Sequence, residues 1–204
     1  MRTHLPVSIL ILIVGSPHGQ AVRPESASTF IKIYAAVEAI RDNCGVPVGL
    51  EVANSDPDDT PITLAFDCND VAHGLDQIIG QRQAYRWSRE DGVYDVYPKA
   101  RNEQMSGLRI KVFAITDATR TEALIAVDKL PEVQNWRSHH REQGGVLISQ
   151  VGFPDQQRVS VNFRNSSLRH ILNWLSTNVA TNPQKPEWSV VPYGDETKHL
   201  NIAF

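Results

Sequence analysis

The sequence predicts an α+β fold made of two tandem α-β-β-α-β-β modules, because three segments of the chain recur in the same order. The matching pairs are residues 41–46 with 141–146, 62–79 with 159–176, and 87–88 with 188–189. Their offsets are 100, 97 and 101 residues, as expected when short loop insertions separate fixed elements. One match could arise by chance, but three in one order indicate a duplicated unit.

We expect the first module at residues 28–98 and a second, elaborated module at 107–204. The polar stretch 99–106 is the predicted linker. The elaboration is an alternating strand carrying Leu108, Ile110 and Val112, followed by an extra helix at Thr119–Lys129.

Each module is predicted to open with a helix. In the first module, Ser28 or Thr29 can cap a helix that ends at Gly45. Its apolar positions recur at steps of three and four residues: Phe30, Ile33, Val37 and Ile40. In the second module the corresponding positions are Leu130, Val133 and Trp136, with Pro131 suited to the first turn.

The rest of each module follows from alternation and turn signals. A short strand is expected at Val46–Val52 and at Val146–Val151. The next strands alternate apolar and polar residues over 62–66 and 159–163, and helices then start at Asp70 and Ser167. Each module closes with a hairpin, turning at Asp91-Gly92 in the first and at Gly194-Asp195 in the second.

This pattern resembles the short N-terminal domain of secretins and TonB-dependent receptors. The resemblance rests on the Cys44-Gly45-Val46 helix end, the Ile62–Phe66 strand, the helix with Leu75 and Ile78-Ile79 inward, and the closing hairpin. It implies a periplasmic module of two helices between small sheets that binds other envelope proteins. The sequence predicts two such modules without the channel or receptor barrel.

The first 21 residues are typical of a cleaved signal peptide. Arg2 precedes an apolar run that is too short to span a bilayer, and Gly19-Gln20-Ala21 provides small residues before the predicted cleavage site. We therefore expect a periplasmic protein without a transmembrane segment after signal removal. The net charge of −3 provides no basic excess for nucleic acid or an anionic membrane surface.

Cys44 and Cys68 occur in the first module, and Gly144 and Asn165 stand at the matching positions of the second. Two cysteines that are gained or lost together indicate a disulfide bond, which export to an oxidising compartment favours. Free buried thiols are the alternative. A redox or metal role is not expected, because the sequence has no C-x-x-C motif.

The candidate partner contacts are aromatic residues of the closing hairpins and two histidines at matching helix positions: Tyr85, Trp87, Tyr94, Trp188, His73 and His170. The histidines are expected on the outer face of their helices, and most of the hairpin aromatics are expected in the core. Tyr and Trp are enriched at binding hot spots, and a hairpin at a sheet edge can accept a partner strand.

No metal, cofactor or catalytic residue is predicted. The Asp56–Asp59 turn lacks the glycine and the distant glutamate of a calcium loop, and His139-His140 point in different directions on a helix. No recognised nucleophile, zinc or nucleotide motif occurs. The sequence therefore predicts a protein–protein interaction module and not an enzyme. The alternative is an envelope hydrolase or small-ligand-binding protein with its site between the modules.

Overall fold

The computed structural model describes these residues: 27–53, 60–65, 67–140, 146–147, 158–179, 187–193 and 197–201. The predicted signal peptide, the Asp56–Asp59 turn, Phe66 and the Gly194-Asp195 turn lie outside them. The fold is α+β, as predicted. Among the described helices, none combines the length and the apolar character needed to cross a membrane.

The described residues of the first half form seven helices and strands. They are β1 (Ser28–Phe30), α1 (Ile33–Cys44), β2 (Val48–Glu51), β3 (Ile62–Leu64), α2 (Val71–Gln81), β4 (Tyr85–Glu90) and β5 (Val93–Pro98). Gly45 ends α1 in the left-handed conformation, with φ of 63°. Asp70 caps α2 through a hydrogen bond from the His73 backbone N–H. Asp91 and Gly92 both have positive φ, as a two-residue hairpin turn requires.

The predicted start of the first helix is wrong. Ser28–Phe30 form strand β1, which pairs antiparallel with β3, and the helix begins only at Ile33. A three-residue strand is too short to show a period, and the pairing that stabilises it comes from a distant part of the chain. The predicted inward positions Ile33, Val37 and Ile40 are buried.

In the second half, eight helices and strands lie within the part of the chain that the structure describes. They are β6 (Arg109–Thr119), α3 (Arg120–Asp128), α4 (Pro131–His139), β7 (Val146–Leu147), β8 (Arg158–Ser167), α5 (Leu168–Asn178), β9 (Glu187–Tyr193) and β10 (Thr197–Asn201). The predicted extra helix is confirmed as α3, which Thr119 and Glu122 cap reciprocally. The predicted alternation of Leu108, Ile110 and Val112 does not extend to burial, because Ile110 and Phe113 are buried and Val112 is exposed. A long two-stranded ribbon such as β6–β8 twists strongly, so burial does not keep strict alternation along it.

The same strand pairings occur in both halves. β1 pairs antiparallel with β3, and β6 pairs antiparallel with β8. In the first half, β5 lies between β4 and β2. In the second half, β10 lies between β9 and β7 in the same orientations. Each half also has its own hydrophobic core. The bounds of two separate modules remain a prediction.

A feature that the sequence did not predict is the sheet shared by the two halves. β2 pairs in parallel with β9, which gives one six-stranded sheet in the order β4-β5-β2-β9-β10-β7. The end of the predicted linker is packed into the fold, because Gln104, Met105 and Ser106 are buried. The buried Glu51 carboxylate accepts hydrogen bonds from the Met105 and Ser106 backbone N–H groups and from Ser106 Oγ.

Candidate docking surface

The contact between the halves is centred on Gly49 of β2 and Trp188 of β9, which face each other in the parallel register. Trp188 is fully buried. A Cβ atom at Gly49 would lie 2.5 Å from Trp188 Cζ2, and closer still to Trp188 Cε2 and Asp95 Oδ1. Only glycine therefore allows the indole ring to lie against this strand without a shift of backbone or ring.

Asn173 of α5 connects three groups at this contact. Its Oδ1 accepts a hydrogen bond of 2.5 Å from Trp188 Nε1, within the second half. Its Nδ2 donates to Asp95 Oδ2 at 2.9 Å and to the Glu90 carbonyl oxygen at 3.2 Å, both in the first half. The amide can do this because it offers an acceptor and two donor hydrogens on one short side chain.

Asp95 is a buried carboxyl group on β5, between the two halves. Burial raises its pKa to about 7, and the neighbouring Glu90 and Asp91 act in the same direction. The Asn173 hydrogen bond and the Arg169 guanidinium lower the pKa, by less than burial raises it. Within the described part of the chain, Asp95 Oδ1 has no hydrogen-bond partner. The contact between the halves therefore includes a carboxyl group that releases its proton near neutral pH.

The first turn of α5 also contacts the first half. His170 Nδ1 lies 2.5 Å from Asp91 Oδ2 and 3.8 Å from Glu90 Oε1. The Arg169 guanidinium lies over the Tyr97 ring, 3.5 Å from its centroid, and donates to Ser106 Oγ. Glu90, Asp91 and His170 place ligand atoms close enough together for a metal ion, but a hydrogen bond between His170 and Asp91 already explains their geometry.

The first half has the same tryptophan–helix hydrogen bond, and none of the described strands covers it. Trp87 Nε1 donates to Asp76 Oδ1 at 2.8 Å, as Trp188 donates to Asn173. Trp87 matches Trp188 at an offset of 101 residues, and Asp76 and His73 match Asn173 and His170 at an offset of 97. Trp87 is partly exposed, whereas Trp188 is fully buried. Among the described residues, no strand pairs with the outer edge of β4.

We name this region the β4–α2 surface and define it as the outer edge of β4 with the side chains of His73, Asp76 and Trp87. His73 and Asp76 are exposed on α2. Arg89 of β4 lies over the Tyr94 ring, 4.9 Å from its centroid, and Tyr94 packs against Trp87. The surface therefore combines an unpaired strand edge with an aromatic ring, a carboxylate and an imidazole.

Two of the predicted partner contacts are core residues. Tyr85 is fully buried, and its hydroxyl oxygen accepts a hydrogen bond from the Ala53 N–H. Trp188 is buried between the halves, so neither side chain is accessible to another protein. Trp87 and His73 lie on the β4–α2 surface, and Tyr94 is half-buried beside Trp87. For these three residues, contact with a partner remains a prediction.

His170 does not lie on a free outer face as expected, because it contacts Asp91 of the first half. The sequence reasoning also missed Gly49, Asp95 and Asn173, which make the contact between the halves. It missed Asp76 as well, which binds the Trp87 indole on the β4–α2 surface. One signal in the sequence could have related the two tryptophan–helix contacts. Asp76 matches Asn173 in the repeat, just as Trp87 matches Trp188.

The predicted disulfide is present at bonding distance. The Sγ atoms of Cys44 and Cys68 lie 2.08 Å apart, and the Cα atoms are 5.0 Å apart. The bond joins the last residue of α1 to the turn before α2. It therefore fixes the helix that presents His73 and Asp76 against the rest of the first half.

Two adjoining grooves lie on the second half, along α4. Their volumes are about 450 and 420 Å³, and Leu108, Arg109, Trp136 and His140 line both. The His140 ring is stacked on the Trp136 ring at 4.1 Å between centroids. These grooves do not contain the residues that were predicted for partner contact.

Comparison of the chain with family models, with curated proteins and with solved structures finds no match.

Proposed function

We propose that the chain is an envelope protein–protein interaction module that receives a strand of its partner on the β4–α2 surface. One observation carries this proposal: the equivalent edge in the second half, β9, is already paired in parallel with a strand, β2. The part of the chain that the structure describes thus contains one occupied and one open example of the same edge. Addition of a strand to a sheet edge is a common mode of peptide recognition.

The burial of the two tryptophans supports the same proposal. They make equivalent hydrogen bonds to equivalent helix positions, yet only Trp188 is fully buried, because β2 and Asp95 cover it. A partner strand on β4 would cover Trp87 in the same way. Partly exposed tryptophan beside unpaired backbone groups is typical of a binding hot spot.

The resemblance to the N-terminal domains of secretins and TonB-dependent receptors gives the proposal its cellular setting. We assign the chain to the periplasm, where it docks a component of a secretion or envelope-signalling system and performs no catalysis. N-terminal sequencing of the exported protein is expected to begin at Val22. A mature protein that begins at Met1 would contradict the assignment to the periplasm.

A pull-down from the native envelope tests the proposal. The full chain is tagged and produced in its own cells, and the partner is quantified for the wild type, Trp87→Ala, and the control Ile125→Ala. Ile125 is an exposed apolar residue on α3, outside the β4–α2 surface. We expect a stoichiometric partner with the wild type and the control, and at least a tenfold loss with Trp87→Ala.

Two results would defeat the proposal. Equal capture by all three proteins would place the binding site elsewhere. Absence of any partner, together with a small molecule retained in native mass spectrometry, would instead favour the alternative of an envelope hydrolase or ligand-binding protein.

A further inference from the structure

We infer that the partner on the β4–α2 surface is a different polypeptide, whose docking strand carries a glycine opposite Trp87 and which brings a hydrogen-bond donor to Asp76. This inference rests on the proposed function and specifies the chemistry of the partner. It follows from the occupied edge in the second half, where each requirement can be read from the contacts between β2 and β9.

The glycine requirement comes from the position of the indole ring. In the occupied edge, Gly49 faces Trp188, and any side chain at this position would overlap the ring. Trp87 is held by Asp76 as Trp188 is held by Asn173, through the indole Nε1 in both cases. A strand that pairs with β4 in the same register therefore meets the Trp87 ring where β2 has Gly49. The flanking residues of β2, Val48 and Leu50, are buried, so aliphatic neighbours are expected in the partner.

The donor requirement comes from the exchange of an amide for a carboxylate. Asn173 accepts from Trp188 and donates to the carboxyl group of Asp95. Asp76 accepts from Trp87 through Oδ1, but an ionised carboxylate has no hydrogen to donate. A partner carboxylate in the place of Asp95 would be repelled, whereas an amide or a basic side chain would complete the contact.

His73 adds a third element. The equivalent His170 contacts the acidic turn formed by Glu90 and Asp91. The His73 imidazole has no hydrogen-bond partner within the described part of the chain, and its backbone N–H is used by Asp70. A carboxylate of the partner would occupy the place that Asp91 has beside His170.

A second copy of this chain does not meet these requirements. The far edge of the sheet is β7, and Leu147 pairs with Asn201 there as Gly49 pairs with Asp95 in the first half. Asn201 stands in the register position of Asp95, and its amide is the kind of donor that Asp76 requires. A second copy would therefore meet the donor requirement, and the glycine requirement decides between a second copy and a different polypeptide. In that register a second copy would bring a leucine, not a glycine, opposite Trp87, which disfavours head-to-tail growth of the sheet.

Selection from a display library tests the inference. The probe is a library of strand peptides with nine random positions, selected on the full chain. Selections are run in parallel on Trp87→Val, on Asp76→Asn and on the control Gly80→Ala, which lies on the same helix with open space around it. Valine keeps a strand-forming residue at position 87 while it removes the indole ring.

Peptides selected on the wild type and on Gly80→Ala are expected to carry one glycine between aliphatic residues at least ten times as often as peptides of the unselected library. Trp87→Val is expected to lose this preference, and Asp76→Asn to relax the preference for donor side chains. Peptides that depend on Trp87 but lack the glycine would overturn the inference and leave the proposed function standing. Failure to select any strand, together with a failed envelope pull-down, would overturn both. Self-association of the wild type at micromolar concentration in sedimentation would also overturn the inference.

Discussion

At the scale of single residues, the most consequential side chain is Asp95. It is fully buried where the halves meet, one of its oxygens accepts from Asn173, and burial raises its pKa from 3.8 to about 7. The native state therefore retains a proton that the unfolded chain releases at lower pH. Such a group makes the folded state less stable as the pH rises between these two pKa values.

Asp95→Asn is expected to remove this pH dependence. We compare the free energy of unfolding of the variant with that of the wild type at each pH. The difference, variant minus wild type, should increase by about 4 kcal/mol from pH 3 to pH 8, since one pKa unit corresponds to about 1.4 kcal/mol. Asparagine keeps an acceptor for Asn173 and never ionises. Urea unfolding at each pH measures the difference.

The matched control for this experiment is Asp117→Asn, which changes an exposed carboxylate on β6. Because this carboxylate is exposed, the free energy of unfolding of Asp117→Asn at each pH shows what the same substitution does without burial. A constant difference for Asp95→Asn would show that Asp95 has no raised pKa.

The Cys44–Cys68 bond closes a loop with a sequence separation of 24 residues. Reduction is expected to lower the free energy of unfolding by about 3 kcal/mol, because the bond restricts the unfolded chain. Urea unfolding with and without dithiothreitol measures this loss. The double variant Cys44→Ala/Cys68→Ala is the control, and its midpoint should not respond to the reductant. A wild-type midpoint that is equally insensitive would contradict the bond.

At the scale of elements, the pairing of β2 with β9 depends on Gly49. Gly49→Ala is expected to cost about 1–3 kcal/mol, because the new methyl group overlaps Trp188 and Asp95. Gly80→Ala in α2 is the control: nothing lies within 4 Å of the added Cβ, so it should stabilise the helix by about 0.5–1 kcal/mol. Chemical denaturation of both variants decides this point, and equal effects of the two would contradict the close approach at Gly49.

The helices and the first hairpin were predictable because their signals are local. Val71, Leu75 and Ile78 recur at helical spacing and are buried, and Asp91-Gly92 supply the positive φ values of the turn. Strand β1 and the β2–β9 pairing were not predictable in this way, since both depend on contacts between residues far apart in sequence. The position of Gly49 opposite Trp188 exists only once both halves are folded.

The candidate surface was predictable in part. The repeat indicated Trp87 and His73, whose exposure the structure shows. Tyr85 and Trp188 were candidates as hairpin aromatics. Both are buried, in keeping with the expectation that most of these aromatics belong to the core, since alternation along a strand does not tell which of its faces is covered. Asp76 attracted no attention as a lone carboxylate, since its meaning depends on the indole that it binds.

At the scale of the whole molecule, two hydrophobic cores share one sheet. The wild type is therefore expected to unfold in a single calorimetric transition, because neither half can open without exposing Trp188 or breaking the β2–β9 ladder. Gly49→Val should separate this transition into two, because the valine side chain displaces the Trp188 indole ring and weakens the contact between the halves. Two transitions in the wild type would show that the halves are energetically independent.

The central claim is that a partner strand pairs with the outer edge of β4, and amide hydrogen exchange of the full chain with and without its captured partner tests this most directly. We predict that the exposed amides of residues 85–90 exchange at least tenfold more slowly in the complex, while those of the β6–β8 ribbon are unchanged. Protection confined to the ribbon or to the α4 grooves, with β4 exchanging as in the free chain, would contradict the claim.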